Sequence, residues 1–364
     1  MLEPVAYFND AMPTGVTVSH KGRIFVNFPK WGDDVLFTVA EIRDGKTAAF
    51  PDQTINQTDS NDMSAALLSV QSVVVDPADR LWILDTGSPL FQPTKFGGPK
   101  LICVDLKTDE VTKKILFPQD VVLPTTYLND VRFDLRKGKE GVAYITDSAQ
   151  NGPNGIIVVD LESGESWRRL NDHPSTKAED LQTFLPIVEG RPFLVKQQQQ
   201  TDENKREPMK LAANMGSDGI AISANGERLY YCPLAGRKLY SVSTESLSDK
   251  SVDDHYVSST VKDEGNKGGA SDGLESDAEG RVYVSNYEHN AILRRSQDGE
   301  WETITHDPRL LWPDTLSLAT DGYLYVTANQ LHRQARFHDG RDMRKKPYTL
   351  FRVNVNAKPV LLVP

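Results

Sequence analysis

Six times along the chain, a short apolar run is followed by a polar turn. A second run then alternates apolar and polar side chains. Residues 271–290, SDGLESDAEGRVYVSNYEHN, give the clearest copy. Gly273-Leu274 leads to the turn residues Asp277-Ala278-Glu279-Gly280, and Val282 and Val284 then alternate with Tyr283 and Ser285. β-Branched and aromatic residues on both sides of turn formers predict a β-hairpin. The other copies are residues 14–28, 71–85, 129–147, 218–232 and 314–328.

After each doubled strand comes a second, weaker hairpin, as at residues 100–106 with 110–117, or 155–161 with 166–170. The repeating unit is therefore four-stranded. Six such units predict an all-β, six-bladed β-propeller, whereas a β-sandwich would not repeat one hairpin six times. The lone strand Val5-Ala6-Tyr7-Phe8 is expected to close the ring by pairing with C-terminal strands at 350–353 and 360–362, which protects an open edge. A single propeller domain spanning 1–364 is expected, interrupted by insertions at about 171–214 and 329–348. The first insertion holds Gln197 to Gln200 and a polar run, residues 201–207, without a period. It reads as a mobile surface insertion, or as a lid if it leaves from the pocket face.

Hairpin spacing carries the geometry. Five of the copies span 14 residues from first to last position, the clearest one counted from Asp272 to Asn286; the third spans 18 because its turn is longer. In a propeller the first strand of each hairpin lines the central channel and the second returns antiparallel, so both ends share one face. That face collects Thr14, Gln71, Asn129, Asp130, Asp218, Asp272 and Asp314 around the channel mouth. Trp31, Asp147, Asn286, Tyr287, His289 and His332 lie in the loops outside them. Carboxylates held this close cannot all stay ionised without compensation. A hard cation with oxygen ligands would compensate them; water, a shared proton or Arg132 would do so less completely. Each Asp also has a local reading, in which it folds the entering loop by accepting backbone N–H groups. Trp31, Tyr287 and Trp312 either wall a pocket for a ring-shaped ligand or pack between blades. The remaining histidines form no constellation.

Composition narrows the function. With 41 Lys and Arg against 51 Asp and Glu, the net charge of −10 argues against a nucleic-acid footprint. No apolar run is long enough to span a membrane, and residues 1–10 show no export signal. Cys103 and Cys232 lie in different repeats and do not diagnose a compartment. No nucleophile elbow, phosphate loop, dinucleotide fingerprint or zinc motif is present, so no organic cofactor is expected.

Residues 71–87, 127–148, 154–164, 216–223 and 310–331 resemble the major royal jelly protein/yellow family, in its bacterial form. The resemblance covers nearly the whole chain and implies a six-bladed propeller. It also implies either a ligand binder or an enzyme of the dopachrome-converting kind, exported with its leader removed; without export the protein would be cytoplasmic. More distantly, the chain is similar to senescence-marker/gluconolactonase propellers, which hydrolyse lactones with a divalent cation, Ca2+ or another, in the channel. That similarity implies metal positions at Asp218 and Asp272 and a substrate-side Asn129. Thr14 stands where that family carries its first metal ligand, a Glu.

Three functions follow as expectations. The leading one is a lactonase-like hydrolase with a cation on Asp218, Asp272 and Asn129, and Asp130, Asp314 or His289 as general base. Gln71, Asn129, Trp31, Asp147, Asn286, Tyr287 and His332 would contact the small-molecule substrate. The second is a non-catalytic binder of a small amine or aromatic ligand. The third is a metal-free isomerase using carboxylate and histidine proton transfer.

Overall fold

The alternating runs do form hairpins, and the hairpins close a ring. The structure is a computed structural model that describes residues 1–57, 62–180, 183–196, 210–212 and 214–364. Six four-stranded antiparallel sheets are arranged as a six-bladed propeller. Numbered in chain order, blade 1 runs Val16–Val18, Ile24–Asn27, Val39–Arg43 and Lys46–Ala49. The inner strands of blades 2 to 6 are Val70–Val75, Leu128–Asp134, Ser217–Ile222, Ser271–Ser276 and Pro313–Leu318. Each inner strand packs on those of the two flanking blades, so the six surround the channel. Apolar faces of adjacent sheets supply the core; Trp82, Leu84 and Leu101 of blade 2 meet Val131, Phe133 and Ile145 of blade 3.

Closure follows the expected logic with one correction. Leu2–Phe8 forms the outer strand of blade 6 by pairing with Tyr348–Asn354. Residues 360–362 take no part in it. The C-terminal tail instead crosses the far end of the channel, where Pro359 bridges Asp277 and Leu135 N–H donates to Leu362 O (3.0 Å). Pro359, Val360 and Leu361 help enclose a cavity of about 70 Å3 there, beside Arg132 and Glu275.

Blade 4 holds elements the periodicity did not reveal. Two short helices, Thr244–Ser248 and Asp254–Ser259, precede its outer strand Lys262–Asn266. Their signals are local: the side chains of Ser243 and Asp253 accept the N–H groups of Ser246 and Tyr256, as N-caps do.

The first insertion is folded where it is described. A hairpin of Ile187–Val188 and Arg191–Pro192 precedes the pairing of Leu194–Lys196 with Lys210–Ala212. The glutamine run and residues 201–207 lie outside the described residues. The insertion joins the outer strand of blade 3, Ser166–Arg169, to the start of blade 4's inner strand, so it leaves from the channel-mouth face. Phe184, Val188 and Phe193 are buried there against Tyr287 and Trp312. Where it is described, the insertion takes the lid position, because these side chains bury apolar area against the propeller top.

Candidate active site at the channel mouth

The polar residues at the starts of the inner strands are aimed by β-bulges. In blade 3, Leu128 pairs with Asp147 but Val131 pairs with Ile145, so three steps on the inner strand face two on its partner. The same slip falls between Val70 and Ser72, Ser217 and Ile220, Ser271 and Leu274, and Pro313 and Leu316. Each slip encloses a candidate: Gln71, Asn129 with Asp130, Asp218, Asp272 or Asp314. A bulge frees a residue from the ladder and redirects its side chain.

Glycine brings these bulges together. A Cβ on Gly219 would run into the backbone oxygen of Asp272, and one on Gly273 into that of Asp314. Asp-Gly at these positions thus marks a close approach of neighbouring inner strands rather than a turn. Hydroxyls hold the approach, as where Thr146 Oγ1 donates to Asp218 O (2.6 Å) across blades 3 and 4.

The result is a cluster of carboxyls with few donors. Asn129 Nδ2 donates to Asp218 Oδ2 (2.6 Å) and Trp312 Nε1 to Asp272 Oδ2 (2.6 Å). Asn329 Nδ2 donates to Asp314 Oδ2 (2.6 Å). Asp218 and Asp272 face each other closely enough for each to shift the other's protonation. Burial is the first cause of their basicity. It pushes Asp218 well above the usual carboxylate range, helped by the charges of Asp272 and Asp314. It pushes Asp272 up to about 6, against the opposing hydrogen bonds from Trp312 and Asp218. Asp314 is raised by burial and then by Asp272. Asp130 stands apart: it accepts from Ser72 Oγ (2.6 Å), from Arg132 Nη1 (3.0 Å) and from the N–H of Val131 (2.8 Å). Of the compensations open to such a ring, the structure contains the Arg132 ion pair and single N–H donors from Asn129, Trp312 and Asn329.

Asp218, Asp272, Asp314 and Asn129 are oxygen donors of the kind a hard cation takes. Their arrangement does not match one. Asn129 presents its amide nitrogen to Asp218, and the indole of Trp312 occupies Asp272 Oδ2. Among the described residues, no group of three or more His, Cys, Asp or Glu side chains is placed to hold a metal ion.

Several loop candidates are not brought to the cluster. Asp147 is wholly buried and closed into its loop: it accepts Tyr127 and Ala149 N–H groups and Thr126 Oγ1, and pairs with Arg168 (2.9 Å). Asn286 donates to Gly268 O (3.1 Å) and accepts the N–H of His289 (3.2 Å). His289 is exposed, with Nδ1 on that same Asn286; among the described residues no hydrogen bond links it to the carboxyls. Tyr287 and Trp312 are stacked face to face, 4.1 Å apart at 7°, and both are fully buried, so they pack on each other. Trp31 stacks on Phe91 (5.3 Å).

His332 is close but differently used. It stacks on Trp312 (5.8 Å), and its Nε2 lies 2.6 Å from Glu189 of the lid. Burial lowers its pKa to about 4 and outweighs Glu189, so the contact is a neutral hydrogen bond rather than an ion pair. Glu189 itself is held down to about 2, first by Arg333.

Two grooves reach this region. One of about 220 Å3 is lined by Phe91, Tyr127, Ser148 and Met215. Its Ser148 accepts from Asn129 Nδ2 (3.0 Å), which ties the groove to the carboxyl cluster. The other, about 460 Å3, is lined by Glu189, Phe193, His332 and Phe337. Tyr127 links the first groove to the ring, accepting from Trp31 Nε1 (2.8 Å) and donating to Gln71 Oε1 (3.1 Å). Ser148 and Asn329 stood in the mouth loops by position alone, and no sequence signal marked Tyr127 or Phe193, because their roles depend on loops from other blades.

The profile of the family described as major royal jelly protein matches residues 68–359. The chain belongs to the major royal jelly protein family. Protein yellow of Drosophila melanogaster is 27% identical over 267 residues, covering 70% of this chain and 45% of that protein. Major royal jelly protein 7 of Apis mellifera is 29% identical over 186 residues, covering 50% and 36%. The chain therefore spans less than half the length of these relatives. Among solved structures, a calcium-binding regucalcin from Agrobacterium tumefaciens has a TM-score of 0.55 at 14% identity, covering 98% of this chain and 95% of that one. A gluconolactonase from Xanthomonas campestris has a TM-score of 0.55 at 11% identity, covering 95% and 86%. These likenesses establish the shared propeller fold. No helix among the described residues is long and apolar enough to cross a membrane.

Proposed function

We propose that this royal jelly family member processes a small molecule at the channel mouth by carboxyl acid–base chemistry. It would act as an isomerase that moves a proton on a ring-shaped carbonyl compound. The observation that carries the reading is the cluster of buried Asp218, Asp272 and Asp314, which has few donors, so that burial raises all three carboxyls. Pairs of carboxyls whose environments separate their pKa values supply an acid and a base at neutral pH. Asp272, at about 6, is ionised at pH 7 and takes the proton from carbon. Asp218, kept neutral, donates to the carbonyl oxygen. Trp312 and Asn129 hold these two carboxyls in place through the bonds described above, and the lid excludes water.

The test is proton exchange in D2O followed by NMR on a panel of small cyclic ketones and quinoid compounds, dopachrome among them. Exchange that disappears in Asp272→Asn supports the reading; exchange indifferent to Asp218 and Asp272 removes it.

Lactone hydrolysis is the second reading, favoured by the all-oxygen donor set and by the gluconolactonase and calcium-binding proteins that share the fold. It requires Asn129 to turn its amide oxygen inward and Asp218 to lose its proton. Lactone turnover abolished by chelation and restored by calcium would favour it over the isomerase.

A further inference from the structure

Arg336, in the second insertion, sits over three aromatic rings. Its guanidinium carbon is 4.7 Å from the Phe337 ring centroid, 5.1 Å from Phe91 and 5.9 Å from Trp31. These rings belong to both walls of the mouth. Phe91 and Trp31 adjoin Tyr127 and the groove that reaches Asn129; Phe337 packs on Phe193 (4.4 Å), which packs on Trp312 (4.9 Å). Arg336 therefore bridges the entrance above the carboxyls.

Its charge is not neutralised locally. Nε donates to Gln334 Oε1 (3.0 Å), and among the described residues no carboxylate pairs with it. The side chain is half-buried, so part of it stays open to solvent. Crowding by the surrounding rings lowers its pKa to about 10, which leaves it charged at neutral pH. Three other arginines near the channel or its mouth each have an acid: Arg132 has Asp130, Arg333 has Glu189, and Arg344 has Asp33.

The same contacts argue against an amine ligand. The aromatic cage that would hold an ammonium at Trp31 is filled by the chain's own guanidinium, and Trp312 and Tyr287 face each other. Cation–π contact orients the guanidinium flat against the rings and leaves its edge for hydrogen bonding. A guanidinium edge matches a carboxylate in two parallel bonds. An anion also meets little repulsion below, because protons on the buried carboxyls reduce the negative charge of the cluster.

We infer that Arg336 is a specificity-determining residue that anchors the carboxylate of a planar, ring-bearing substrate, holding it by one edge at the mouth. The inference rests on the acid–base reading only for what happens to the bound ring; the anchoring stands on the Arg336 geometry.

Binding of 2-naphthoate, 2-naphthamide and 2-naphthylmethylamine to the full chain, measured by calorimetry, tests it. The wild type should prefer the acid. Arg336→Gln should weaken the acid about 10–100-fold, the worth of one charged hydrogen-bonded contact, and leave the amide unchanged. Arg336→Lys, which keeps the charge without the fork, should fall between. An acid bound no better than the amide or the amine by the wild type overturns the inference, as does an acid affinity unchanged in both variants. The wild-type comparison decides even if a variant fails to fold. Asp218→Asn separates the two ideas: it should lower proton exchange but keep the preference for the acid. No effect of Asp218→Asn on exchange, with the Arg336 dependence intact, removes the reaction and leaves the anchor.

Discussion

Aspartates occupy both ends of the inner hairpins, and the two ends treat them in opposite ways. At the turn end, Asp277 accepts the N–H groups of Glu279 (3.1 Å) and Arg281 (2.9 Å), Arg281 Nε (2.6 Å) and Tyr283 Oη (2.7 Å). Asp76 repeats the pattern with Ala78, Arg80 and Trp82. At the mouth, the side chains of Asp218, Asp272 and Asp314 share one or two donors each and lean on one another. A buried carboxylate ringed by donors is fixed in place by its partners. One with few donors is left to burial, which raises its pKa and suits it to chemistry. Residue type does not separate the two classes; the count of donors does.

The sharpest way to break this contrast is to treat both ends alike. Asp272→Asn should cut proton-exchange turnover by about 10²–10⁴-fold, with an unchanged far-UV spectrum. Asp277→Ala should do the reverse. It removes one of the two acids paired with Arg281 and leaves a tyrosine hydroxyl and two backbone N–H groups without their acceptor, so urea unfolding should show a loss of about 3–5 kcal/mol, with turnover per folded molecule retained. Equal effects of the two on turnover would erase the distinction.

The pH dependence sharpens it further. Asp272 binds its proton more tightly when folded than when unfolded. The stability this provides is complete below the unfolded carboxyl value of about 4 and is lost as pH rises through the folded value of about 6. Asp218 is raised in the same direction. Asp218→Asn, which removes the burden of a buried ionisable pair, should therefore stabilise the protein at pH 8, on the order of 2 kcal/mol. It should change little at pH 4; denaturant titrations at the two pH values give both numbers. Gly273→Ala should cost about 1–3 kcal/mol by overpacking against Asp314 and should widen the Asp272 to Asp314 approach. Its readout is a melting temperature together with a shifted pH–rate profile. The smallest expected effect is that of calcium. With Asn129 and Trp312 donating into the cluster, millimolar calcium and chelator should give the same melting temperature at pH 8; a rise with calcium would favour the hydrolase reading.

The fold was legible because each hairpin is local. Alternation, turn residues and a constant 14-residue return need no long-range information, so the six copies and the strand closure could be read directly. The ring of candidates was legible for the same reason, since the start of every inner strand must come to one face. Less of the site was. His289 and Asp147 lay in the right loops, yet their side chains turned to Asn286 and Arg168. Tyr287 and Trp312 were aromatic at the mouth, but they stack on each other instead of facing a ligand. Loop side chains choose partners from neighbouring blades, and no periodicity specifies that choice.

The sequence by itself determined that six hairpins repeat, that the ring closes through its ends, and that Gln71, Asn129, Asp130, Asp218, Asp272 and Asp314 stand at one rim. Tertiary structure alone decided that Asp218 and Asp272 are crowded and raised by burial while Asp130 pairs with Arg132. It decided too that an insertion lies over the mouth and that Arg336 fills the aromatic cage. The reason is physical: backbone pattern is set by neighbours in sequence, whereas protonation and pairing are set by burial and by the donors that other blades bring within about 3 Å.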